Sequence, residues 1–353
     1  MLIPANLNRV ISFLPPSITN PDPAIDKAGR IIVKKIWIGL GIITAVLGLA
    51  AGYISTTDLL KPELHHTPLI IAHRAGGGQW PQNSRTAVMN SIVRAGAKDP
   101  AKRYHGIEID IVLTKDGHPV LSHDPWVHTT LCRTASGEPI GDRILIRDLT
   151  LAELQSEFIC GGVPDKDFPE VIPKSEKIMT LDEVLAALKN ASEMVLYLDI
   201  KIDSDITASA EAYAAAISKR LEAARLPNRL YIEGPSAESL AAYRSAIRAK
   251  FVAVLSYPPF SATENPVLTA LKARWFTKLR LRNPLDKARE AMAGAVAGPQ
   301  QVITWTAASQ ARDNGVAVVL FAPKTRKDLD RYCTWPVDML ITDFPELGHC
   351  RVD

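Results

Sequence analysis

An excess of charge of one sign is missing from this 353-residue chain, in which 41 Lys plus Arg meet 38 Asp plus Glu. The small surplus sits in residues 1–35, where Arg9, Lys27, Arg30, Lys34 and Lys35 outnumber Asp22 and Asp26. The balanced remainder carries no broad basic footprint, which argues against a nucleic-acid partner. A local basic stretch, Lys272 to Arg282, could touch an anion but reads as a solvated strand face. CxxC pairs and zinc-like Cys/His spacings are missing too, which removes a zinc centre from consideration.

Charged side chains are also absent from Ile36 to Ile54. As a helix that run would span about 28 Å, close to the thickness of a bilayer core. Lys34 and Lys35 precede it, and Trp37 and Tyr53 stand near its ends, where interfacial aromatics belong. A buried core helix fits this run and its isolated basic tail poorly. A cleaved signal peptide is the rival, with Gly48-Leu49-Ala50 as a small-x-small cleavage site. The long lead-in favours an uncleaved anchor. Residues 1–35 are then a cytoplasmic tail, 36–54 a single transmembrane helix, 55–68 a linker, and 69–353 a domain on the outer side.

Hydrophobic residues make up 47% of the chain, enough for a sizeable core. The cysteines, Cys132, Cys160, Cys333 and Cys350, all fall in the outward part, where disulfides persist. Three pairings are possible, and free buried thiols are the alternative. Cys132–Cys160 with Cys333–Cys350 closes short local loops and is the expected set.

From Leu69 onward, apolar strand patterns alternate with helical ones. Strands are expected at 69–73, 106–113, 195–201, 229–233, 251–255, 275–281, 316–321 and 338–343. Helices are expected at 84–97, 180–190, 205–224, 236–249, 300–313 and 325–332. Thr180-x-x-Glu183 is a capping box, and Thr325-x-x-Asp328 is a weaker start signal. This α/β alternation predicts a TIM (β/α)8 barrel, with a doubly wound sheet as the alternative. Segment 124–178 breaks the pattern and reads as an insertion after the second strand, with one short helix near 150–158. Its Trp126, Leu131, Phe158 and Phe168 could line an acyl groove or pack a small core of their own.

Strand alternation also says which side chains converge. In Gly106-Ile107-Glu108-Ile109-Asp110-Ile111, two carboxylates share one face and isoleucines the other. Asp199 and Lys201 repeat the device. Three carboxylates exceed the two nearby bases, Arg74 and Lys201, so Glu108, Asp110 and Asp199 are candidate ligands for a divalent cation. Oxygen donors favour Ca2+ or Mg2+. An internal ion-pair network is the competing reading. His73 ends the first strand and His123 follows a short strand near 118–121, both at barrel-mouth positions. One could deprotonate a nucleophile while the other protonates a leaving oxygen. Arg74 and Lys201 are the candidate phosphate-binding groups. Glycines 76–78 would let backbone approach a phosphate, or simply permit a turn.

Ala72-His73-Arg74, Pro81-Gln82-Asn83-Ser84, Glu108-x-Asp110, Thr114-Lys115-Asp116-Gly117, His123-Asp124, Asp199-x-Lys201 and Ile341-Thr342-Asp343-Phe344-Pro345 stand in one order over about 69–347. Together they resemble the glycerophosphodiester phosphodiesterase family. The resemblance implies a TIM barrel with an insertion after the second strand, a divalent cation and two catalytic histidines. It also implies hydrolysis of glycerophosphodiesters to glycerol 3-phosphate and an alcohol. Gln82 and Ser84 replace a Glu and a Thr of the usual pattern, Asp199 replaces a Glu, and Leu320-Phe321-Ala322-Pro323 replaces a Trp-Thr-x-Asn stretch. The first changes bear on metal affinity and the last on the alcohol pocket. A lysophospholipase D or other barrel phospholipase is the neighbouring alternative, and a non-catalytic lipid-head-group binder the distant one.

Overall fold

Strands buried on both faces and amphipathic helices between them build a closed barrel. The computed structural model describes residues 67–97, 104–203, 205–257, 284–347 and 350. The chain divides into two units, Met1–Leu59 and Leu60–Asp353, and the first lies outside the described residues. So do the expected tail, the candidate transmembrane helix 36–54, most of the linker and the basic stretch 272–282. Among the described residues no helix is long and apolar enough to cross a membrane.

The strands are β1 (Leu69–Ala72), β2 (Gly106–Leu113), β3 (Pro119–Leu121), β4 (Cys132–Thr134), β5 (Phe158–Cys160), β6 (Val195–Ile200), β7 (Leu230–Gly234), β8 (Val252–Ser256), β9 (Ala295–Pro299), β10 (Ala317–Phe321) and β11 (Met339–Thr342). Eight of them pair in parallel in the order β1-β2-β6-β7-β8-β9-β10-β11, and β11 returns to β1. Closure pairs each of these eight strands on both sides and makes the TIM barrel that the alternation predicts. The helices are α1 (Arg85–Ala95), α2 (Leu151–Glu157), α3 (Leu181–Leu188), α4 (Ala210–Ala224), α5 (Ala237–Ala246), α6 (Pro284–Glu290), α7 (Trp305–Asp313) and α8 (Arg326–Cys333). Thr180 and Glu183 close the expected capping box on α3, and Thr325 accepts from Asp328 N on α8.

One strand stands elsewhere than expected. Segment 275–281 lies outside the described residues, and the ring is complete through β9 instead. Ala295-Val-Ala-Gly-Pro reads locally as small residues and a turn. The barrel interior makes it a strand, since Ala295 and Ala297 pack inside with Ile71, Tyr197, Val254 and Met339. Alternate residues such as Ile107, Leu198 and Val318 face outward into the larger core beneath the helices.

Between β2 and β6 the chain forms the expected insertion. It carries its own core, in which Val127, Ile146, Leu154 and Phe158 pack together. Strands β4 and β5 are antiparallel with Cys132 opposite Cys160, and a disulfide joins the two. A second disulfide joins Cys333, at the end of α8, to Cys350. Both expected pairings are therefore present.

Candidate active site

The site begins where β1 stops. His73–Ala75 make a single tight turn with Arg74 at φ 49° and Ala75 at φ 59°. Left-handed backbone of this kind costs of order 1–3 kcal/mol per non-glycine residue and needs outside support. Arg74 N donates to Glu108 Oε2 at 2.6 Å, and Asn83 N donates to Arg74 O at 3.0 Å. The turn is thereby fastened to β2. Among the glycines expected here, Gly78 serves a close approach: its N donates to Asp343 O at 3.0 Å, and a Cβ would lie 2.5 Å from that oxygen.

Register then assembles the carboxylates. Asp110 on β2 lies opposite Asp199 on β6, and Glu108 lies opposite Tyr197. Glu108, Asp110 and Asp199 each bring one oxygen within 4.8 Å of the others. Glu108 and Asp110 are buried, and Glu108 Oε1 has no hydrogen-bond partner. Lys201 Nζ stands 3.0 Å from Asp110 Oδ1 and also bonds Asp199, while Arg74 Nε is 3.6 Å from Asp110 Oδ2. Ion pairs thus link both bases to the carboxylates, yet one buried carboxylate oxygen is left over. Oxygen donors at this spacing, with that orphaned atom, fit a hard divalent cation.

The histidines flank this cluster. His73 Nδ1 is 2.6 Å from Asp343 Oδ1, and its Nε2 is 3.9 Å from Glu108 Oε2. His123 Nδ1 is 2.9 Å from Asp124 Oδ1. A carboxylate on one ring nitrogen fixes the tautomer and aims the other nitrogen. Asp124 Oδ2 is in turn 3.6 Å from His128 Nε2.

Burial and charge set the protonation pattern. Burial pushes Glu108 well above its ordinary value, and Asp110 and Asp199 push it further. Burial opposes ionisation of Asp110 too, but Lys201, His123 and Arg74 outweigh it and hold Asp110 far below the usual carboxylate range. Burial would lower Lys201, yet Asp110 and Asp199 raise it, so it stays charged. Burial and the Arg74 charge lower His123. Glu233 on β7, opposite Asp199, rises to about 8 through burial and then the Asp199 charge, and it accepts from Tyr197 Oη at 2.6 Å.

All seven residues expected from the sequence, His73, Arg74, Glu108, Asp110, His123, Asp199 and Lys201, meet at this mouth. Asp343 and Asp124 stand in the recognised motifs but carried no role there. Asn83 went unassigned as well, though its Nδ2 donates to Asp110 Oδ2 at 2.7 Å. Nothing local signals Asp165, which accepts from Gln82 Nε2 at 2.9 Å while Gln82 accepts from Arg74.

Residues 73–347, from the end of β1 through β11, match the model of the glycerophosphoryl diester phosphodiesterase family, and every residue of this cluster falls in that span. The chain belongs to that family. It is a family of phosphoric diester hydrolases. The human glycerophosphodiester phosphodiesterase 1 is 29% identical over 205 residues, 58% of this chain and 48% of the human protein. This chain thus spans about half the length of that curated relative. A candidate glycerophosphoryl diester phosphodiesterase of Silicibacter pomeroyi shares the fold at TM-score 0.66 and 19% identity, over 81% of this chain and 93% of that one. So does an Oleispira antarctica phosphodiesterase solved with sn-glycerol-3-phosphate, at TM-score 0.57 and 21% identity, over 79% and 94% of the two chains.

Proposed function

We propose that this protein hydrolyses glycerophosphodiesters to glycerol 3-phosphate and an alcohol with a divalent cation, Ca2+ or Mg2+. The observation that carries the reading is the trio Glu108, Asp110 and Asp199 between two carboxylate-held histidines, with Glu108 Oε1 unpartnered. These three residues would hold the cation, which when bound polarises a phosphoryl oxygen. Arg74 and Lys201, held beside the same carboxylates, supply positive charge against the negative charge that a phosphoryl transition state gathers. One histidine takes a proton from the attacking group and the other delivers one to the leaving oxygen. Asp343 and Asp124 orient His73 and His123 for these roles.

The domain works on the outer side of a membrane, anchored by residues 36–54. Two disulfides among the described residues support an oxidising compartment. The test of the activity is a panel of soluble glycerophosphodiesters, with and without a chelator. Release of glycerol 3-phosphate that chelation stops and Ca2+ or Mg2+ restores is the expected result. No turnover of any diester with either cation refutes the reading.

A further inference from the structure

Resting on that phosphodiesterase reading, we propose that Asp165, on the insertion, is a positioning residue for the phosphate-binding Arg74. It acts through Gln82, whose amide it holds in the one orientation that accepts from the guanidinium. Arg74 Nη1 donates to Gln82 Oε1, and Gln82 Nε2 donates to Asp165 Oδ2 at 2.9 Å. A flipped amide would set donor against donor at Arg74 and acceptor against acceptor at Asp165. Gln82 stands where the usual family pattern has Glu. Of the two, only the amide can accept from an arginine and donate to a second acid at once.

The rest of the turn is already fixed, so the Gln82 side chain is what Asp165 has left to orient. Asn83 N donates to Arg74 O at 3.0 Å, and the Asn83 side chain exchanges hydrogen bonds with Asp110. Arg74 Nε stands 3.6 Å from Asp110 Oδ2. Gln82 is therefore a second anchor on a planar guanidinium, and two anchors set its plane. Asp165 is itself held. Its Oδ1 accepts from Asp167 N at 2.9 Å, and Phe168 of the same turn packs edge-on against Phe344 at 5.8 Å, next to Asp343. The insertion thus reaches the phosphate site through one polar contact whose direction can be reversed.

That reversal is the test. Asp165→Asn keeps an oxygen for Asp167 N but turns a donor toward Gln82, whereas Gln82→Glu turns an acceptor toward Asp165. With Mg2+ or Ca2+ present, each alone should lower kcat/KM for glycerophosphoethanol about tenfold, the order of one hydrogen bond to a charged group. Calorimetric binding of glycerol 3-phosphate should weaken in parallel, with little change in melting temperature. The double variant again pairs a donor with an acceptor, and both readouts should return to within about threefold of the unaltered protein. Losses that add in the double variant, or single variants indistinguishable from the unaltered protein, overturn the proposal. No turnover by the unaltered protein overturns the phosphodiesterase reading instead, and the binding series then still decides the Asp165 link.

Discussion

Along β6, Val195 and Tyr197 point into the barrel among Ile71, Ala295 and Met339, whereas Asp199, two residues on, meets Glu108 and Lys201. The same pleat and the same inward direction yield hydrocarbon in one half of the barrel and ionised groups in the other. The lower half gains stability from dispersion and dry packing. The mouth holds carboxylates whose burial is unfavourable unless bases, hydrogen bonds or a cation compensate. Rigid apolar layers below thus allow a charged, strained site above. Arg74 and Ala75 at positive φ sit entirely in that upper half.

Breaking the mouth should show in turnover first. His73→Ala and His123→Ala should each lower kcat about 10²-fold or more with unchanged circular dichroism. Near-full activity in either variant would remove that histidine from the chemistry. Next in size is Asp110→Asn, which removes the carboxylate beside Arg74 and one charged partner of buried Lys201, whose bond to Asp199 stays. Breaking a buried pair on one side costs about 3–5 kcal/mol, and calorimetric cation binding should fall in parallel.

The lower half should respond in the opposite sense. Met339→Ala should cost about 2–4 kcal/mol in denaturant unfolding while kcat stays within about twofold. A large loss of kcat with little loss of stability would erase the distinction between the halves. The effect confined to a pH window lies at the boundary, at Glu233. Its folded pKa of about 8 stands above the unfolded value near 4.5, so the folded state holds the extra proton. The associated stabilisation is complete below the unfolded value and is lost as pH rises to about 8. In chelator, the melting temperature should therefore fall between pH 5 and 8 more in the wild type than in Glu233→Gln. Parallel pH profiles would place the titration elsewhere.

How much of this was legible in the sequence depends on the range of the interaction. β2 could be read because isoleucines and carboxylates alternate within it, β6 because Leu196, Leu198 and Ile200 alternate with Tyr197 and Asp199, and α3 because Thr180 and Glu183 are three residues apart. β9 could not, because Ala295 to Pro299 has no pattern of its own and is made a strand by its neighbours in the ring. In the insertion, Phe158 packs the local core, as one of the two readings of its large residues had it, whereas the contact of Phe168 with Phe344 joins residues far apart in the chain.

By itself the sequence determined the local facts: which side chains share a face of a strand, which residues begin helices, and which cysteines close short loops. Each rests on a period or spacing of a few tens of residues at most. Only the tertiary structure decided that Asp343, 270 residues from His73, holds its ring, and that Asp199 lies beside Asp110. It also decided that Asp165 reaches Gln82. The first two pairings follow from strand register and barrel closure, which depend on how all eight strands pack around one axis and leave no mark on any single stretch of chain.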